Sequence, residues 1–175
     1  SVVAGLGLLA LVAFRANAIA DVFEDCSAPG ISPDQRLVAC SDALAQSLAY
    51  SNLGLANRNR LAAYLNRAGA YLEKGENDWA ILDASRVIEL DPNSADAHYN
   101  LGYALLTQEK TSEAIPFLRR AVVLRSDVAL WHYNLGVAAF MTGDPVNALP
   151  SIREAIRLSP NDAQTHGFLS VLLDS

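Results

Sequence analysis

Residues 61–162 repeat with a period of 34. Asn66, Asn100 and Asn134 recur at that interval, as do Ala80, Ala114 and Ala148. Gly102 and Gly136 share a phase with Ala68, and Pro92, Ser126 and Pro160 close the three units. A fixed period of this size argues against a single irregular core. It predicts a stack of like supersecondary units, each burying its apolar face against the next. The expected role therefore moves from catalysis towards binding another protein.

The third unit shows what is repeated. From Ala129, apolar and small residues return at helical spacing through Leu135, Gly136, Ala139 and Phe140. Gly143-Asp144-Pro145 interrupts them, with Asp144 suited to an N-cap and Pro145 to a first helical position. A second stripe runs through Ala148, Leu149, Ile152, Ala155, Ile156 and Leu158, and Ser159-Pro160 ends it because proline cannot continue a helix. One period is helix, tight turn, helix, turn. Gly136 and Ala148 fall where the helices of a hairpin cross closely, and a larger side chain would force them apart.

This arrangement resembles the tetratricopeptide repeat (TPR), with an aromatic residue, Leu-Gly, Ala, a bulky residue, Ala and Pro at set offsets. The stretch from Tyr64 to Pro92 carries it, as do Asn100-Leu101-Gly102 with Glu113-Ala114-Ile115 and Asn134-Leu135-Gly136 with Asn147-Ala148-Leu149. The resemblance implies an all-α, right-handed α-solenoid of three helix hairpins: 61–94, 95–128 and 129–162. Residues 163–175 supply only the first helix of a fourth unit, expected as a cap over the last apolar face. Three departures stand out. Glu109 replaces a turn glycine, Ser126 replaces a closing proline, and Pro116 and Pro150 lie early in their second helices.

The front of the chain differs. Val2 to Phe14 is an unbroken apolar run of 13 residues, below the length of a membrane-spanning helix. Ala18-Ile19-Ala20 fits a leader-peptidase site, so residues 1–20 read as an export signal without its basic n-region. The alternative is an uncleaved membrane anchor over residues 2–20. Cleavage would leave a periplasmic or secreted protein with no stable membrane insertion. Cys26 and Cys40 are the only cysteines, and an even number in an exported chain points to a disulfide, with two separate buried thiols as the alternative. A bridge closing so short a loop contributes roughly 3 kcal/mol on the chain-entropy account. Residues 21–60 read as a partial repeat: a helix from Asp34 to Leu44, then a polar connector through Asn57-Arg58-Asn59-Arg60. With Arg36-Leu37-Val38-Ala39-Cys40, this front resembles exported alphaproteobacterial TPR proteins.

In TPR stacks the first helices line a concave face. That resemblance implies a peptide- or protein-binding set of Leu65, Asn66, Tyr99, Asn100, Tyr103, Leu130, Tyr133, Asn134, Val137, Phe140 and Met141. The face is uncharged and aromatic, with an asparagine in every unit. An Asn amide both donates and accepts, so it can hold a peptide backbone of any sequence. The competing reading makes the asparagines and tyrosines ties between adjacent repeats. TPR domains that grip acidic chaperone tails need Lys and Arg here, whereas Leu65, Gly69 and Leu130 occupy those positions and only Asn100 matches.

Other functions find little support. His98, His132 and His166 also recur at 34 residues, but stacked repeats set equivalent positions about 10 Å apart, too far to share an ion. They are expected to pack in the repeat's aromatic slot. No Gly-rich phosphate loop, nucleophile elbow or metal-ligand cluster is recognisable, so neither cofactor, metal nor catalytic residue is expected. An accessory role beside a cell-envelope enzyme and homo-oligomerisation remain alternatives. The net charge of -6 disfavours nucleic acid, whose phosphates require clustered Lys and Arg. Arg119, Arg120 and Arg125 read as a solvated strip.

Overall fold

The structure, a computed structural model, describes residues 23–49 and 55–174. The expected leader and residues 50–54 of the connector lie outside the described residues. All regular structure among the described residues is helical. The chain forms two compact units, Ser1–Gly75 and Glu76–Ser175.

In the first unit a helical turn at residues 23–27 precedes α1 (Pro33–Ala49) and α2 (Leu55–Glu73). α1 starts on a reciprocal cap. The Ser32 amide donates to Gln35 Oε1 at 2.9 Å and the Gln35 amide to Ser32 Oγ at 3.2 Å. Pro33 takes the first helical position, where its missing N–H is harmless. The two helices run antiparallel, because Asp34 pairs with Lys74 (2.5 Å), Arg36 with Glu73 (2.8 Å), and Arg67 donates to Ser41 (3.1 Å). A Cys26–Cys40 disulfide lies in the core with Ala43, Leu44 and Ala63, flanked by Phe23 and Tyr64. One expectation is corrected: Asn57 to Arg60 are the first turns of α2, not a connector. Polarity alone does not stop a helix, and no Pro or Gly follows Gly54 until Gly69.

The second unit contains α3 (Asn77–Leu90), α4 (Ala95–Thr107), α5 (Thr111–Leu124), α6 (Ala129–Met141), α7 (Pro145–Leu158) and α8 (Ala163–Leu173). Consecutive helices pack together, and α4–α5 and α6–α7 form the tight hairpins. A Cβ on Gly102 would come within 2.9 Å of Leu118 Cγ and 3.0 Å of the Leu118 amide nitrogen. One on Gly136 would lie 2.6 Å from Ile152 Cδ1 and 3.2 Å from the Ala148 carbonyl oxygen. Leu118 and Ile152 are completely buried, so neither can yield. The sequence period thus records where two helices touch backbone to side chain.

Three residues that follow helices share a left-handed backbone. Gly75, Glu109 and Gly143 sit 34 apart with φ of 73°, 62° and 77°. After α4, the Lys110 amide reaches back to the Leu105 carbonyl, and after α6 the Asp144 amide reaches Ala139, both at 3.0 Å. This Schellman arrangement needs a left-handed residue, and Glu109 accepts it because the flanking helices are already fixed. Ser94, Asp144 and Asp162 cap α4, α7 and α8, each accepting from the backbone N–H three residues on. Pro116 and Pro150 lie on exposed faces of α5 and α7, where water can take up the carbonyl each leaves free. α8 packs Leu172 and Phe168 against the group containing Ala148 and Ile152.

Candidate functional site

In the second unit the first helices of successive repeats, α4, α6 and α8, are joined side by side through aromatic contacts. Tyr99 of α4 stacks on Trp131 of α6 with centroids 4.8 Å apart, and on Tyr103 at 5.8 Å. Phe168 of α8 meets Tyr133 and Phe140 edge to face at 5.8 and 5.5 Å. Two hydrogen bonds follow the same seam: Asn134 Nδ2 donates to Tyr99 Oη at 2.9 Å, and Gln164 Nε2 to Tyr133 Oη at 3.0 Å. Burial, then the neighbouring Tyr103 phenol, pushes the Tyr99 hydroxyl up to about 12 against the opposing pull of the Asn134 bond.

These contacts divide the sequence-derived set. Tyr99, Tyr133, Asn134 and Phe140 are committed to neighbouring helices. Asn66, in the first unit, donates to Ser27 Oγ at 3.1 Å and Cys26 O at 3.4 Å, beside half-buried Leu65. Asn100 is half-buried and makes no side-chain hydrogen bond among the described residues. Tyr103 and Val137 are also half-buried, while Leu130 and Met141 are 56% and 57% exposed.

Asp96, the one acidic residue within α4, α6 and α8, is neutralised. Arg125 holds Asp96 with two bonds, 2.6 and 3.1 Å, while its guanidinium lies 4.1 Å above the Trp131 ring. Sequence reasoning placed Arg125 in a solvated strip; instead it clamps a repeat junction. Its spacing from Trp131 was the available signal, since a cation six residues before an aromatic residue straddles the turn between helices. Arg120 is likewise engaged, donating to Asn93 Oδ1 at 2.8 Å. A ring nitrogen of each histidine lies against the backbone at the start of its helix: His98 on Ser94 O (2.9 Å), His132 on Ser126 O (3.0 Å) and His166 on Pro160 O (2.8 Å). Among the described residues no cluster of three His, Cys, Asp or Glu could hold a metal ion.

A stack of helix hairpins joined through their first helices defines a helical-repeat scaffold. Family models of the TPR repeat match residues 68–109, and models of the tetratricopeptide repeat match 95–127 and 118–163. Together they span more than half of the chain, which belongs to the tetratricopeptide repeat family. Solved structures agree in fold. A crystal structure of MamA protein superposes with a TM-score of 0.72 at 22% identity, covering 91% of this chain and 81% of that one. The first TPR of RPAP3 bound to the HSP90 peptide SRMEEVD gives 0.62 at 19% identity, over 65% and 90% of the two chains. A mutant O-GlcNAc transferase from Thermobaculum terrenum gives 0.62 at 27% identity, over 67% of this chain but 22% of the enzyme. The fold is that of a protein–protein interaction scaffold.

Proposed function

We propose that this protein is a non-catalytic adaptor of the bacterial cell envelope, holding an uncharged peptide or protein segment on the α4–α6–α8 face. One observation carries the reading: among the described residues Asn100 offers an uncommitted amide beside Tyr103, and Asp96, the one acidic residue within α4, α6 and α8, is already paired with Arg125. Exposed Leu130 and Met141 supply apolar area. An acidic ligand such as the peptide held by RPAP3 would need a cation on this face, where Leu130 stands at one such position. The envelope is supported by the Cys26–Cys40 disulfide, since such bonds persist in oxidising compartments.

The test is capture of partners from an envelope extract by the wild type and by Asn100→Ala/Tyr103→Ala/Leu130→Ala, with circular dichroism confirming the fold. Loss of the captured set with unchanged helicity supports the face; an unchanged set rejects it. A second reading, self-association, is favoured by Val171 and Leu173 of α8, which are 54% and 63% exposed. Light scattering of the purified chain separates the two.

A further inference from the structure

The three asparagines of the repeat phase have different partners. Asn134 bonds a tyrosine of the preceding first helix and Asn100 bonds nothing among the described residues. Asn66 is held by the chain's own residues 26–27, as Asn134 is held by Tyr99. Those residues are fastened from the other side, because Cys26 is bonded to Cys40 in the middle of α1. Both cysteines are essentially inaccessible, at 1% and 0% exposure, and Phe23 packs on the same core. Beyond this turn come Ala28, Pro29 and Gly30, with no regular structure until Pro33.

We infer that the disulfide is a latch, holding residues 23–31 as a removable cover over Asn66 of α2. That an uncovered Asn66 would meet a partner rests on the adaptor role proposed above; the release of the cover does not. A dithiol reductant supplies the two electrons. One of its thiolates attacks a cysteine sulfur and the partner cysteine leaves as thiolate. Its second thiol then displaces the remaining cysteine and closes the reagent's own disulfide, and both protein thiolates take up protons. Because the sulfurs are buried, attack requires the segment to lift first, so the reductant captures an already open state.

Hydrogen exchange on the full chain, oxidised and then reduced with dithiothreitol, tests this, with Cys26→Ser/Cys40→Ser as the reductant-free counterpart. Removing a crosslink over so short a loop should speed exchange of residues 23–31 by about a hundredfold, with α4 to α8 unchanged. The reduction rate should also level off at high dithiothreitol, where lifting becomes limiting. Unaltered protection of residues 23–31, or loss of protection throughout the chain, overturns the latch. Release of the segment together with partner capture that survives the Asn100/Tyr103/Leu130 substitutions would keep the latch and reject the face.

Discussion

Asn134 donates its side-chain amide to the Tyr99 hydroxyl across 2.9 Å, joining α6 to the first helix one repeat upstream. Asn134 is 7% exposed and Tyr99 lies stacked on Trp131, so the bond is internal to the stack. Tyr99→Phe and Asn134→Ala should each lower stability by about 1–3 kcal/mol, since one partner is left unsatisfied in a buried site. A double-mutant cycle by urea denaturation should return a coupling of about 1 kcal/mol. Additive effects would mean that the bond does not tie the repeats.

The same burial sets an alkaline limit. Tyr99 is pushed up to about 12, above the unfolded value near ~10. A raised pKa means that folding favours the neutral phenol. The contribution is fully present below about pH 10 and is lost as pH rises through about 12. Ultraviolet titration should find one tyrosine ionising late, and Tyr99→Phe should remove that step and flatten the alkaline arm of the stability curve.

Gly102 and Gly136 test the hairpin contacts. Alanine at either needs the facing helix to shift, because Leu118 N and Ala148 O are backbone atoms within 3.0 and 3.2 Å of the new methyl. The cost should be about 1–3 kcal/mol, as for other overpacked cores. Gly69→Ala is the control, since nothing lies within 4 Å of its added Cβ. Equal melting of all three variants would contradict the close-packing account.

What could be read in the sequence follows from what a 34-residue period encodes. Gly102, Gly136 and Ala148 recur because helix crossings demand small residues, so the hairpins were legible from spacing. The paired cysteines were legible too, because an even number in a chain read as exported points to a disulfide. The division of the candidate face was not. Asn66, Asn100 and Asn134 are identical by sequence, and only the neighbours differ: a cysteine carbonyl and a serine hydroxyl, nothing, and a tyrosine hydroxyl. Periodicity reports position within a repeat, whereas each side chain's partner depends on what the adjacent segment supplies. Arg125 was missed for the same reason, as its partners Asp96 and Trp131 flank it from different helices.

Glu109 stands in the left-handed region at a position occupied by Gly75 and Gly143 in the neighbouring units. Glu109→Gly should relieve about 1–2 kcal/mol of backbone strain. It also gives the unfolded chain more freedom, which costs about 0.5–1 kcal/mol. The net should be a gain of up to about 1.5 kcal/mol, read as a higher melting temperature. Gly143→Ala should move the opposite way, and a lower melting temperature for Glu109→Gly would contradict the turn assignment.

The helix caps set the acid limit. Asp144 and Asp162 are held below the usual carboxylate range, Asp144 first by its bond from the Asn147 side chain and Asp162 first by the Thr165 hydroxyl. A depressed pKa means that folding favours the charged form. The contribution is present above the unfolded pKa and is lost as pH falls through the still lower folded value. Both side chains also accept the N–H that opens their helix, so protonation weakens the cap and the interaction with the helix dipole together. Melting of the wild type should fall steeply between about pH 5 and pH 3. Asp144→Asn/Asp162→Asn should begin less stable at neutral pH and lose less on acidification, because asparagine caps without titrating. Parallel acid profiles for the two proteins would place the acid limit elsewhere.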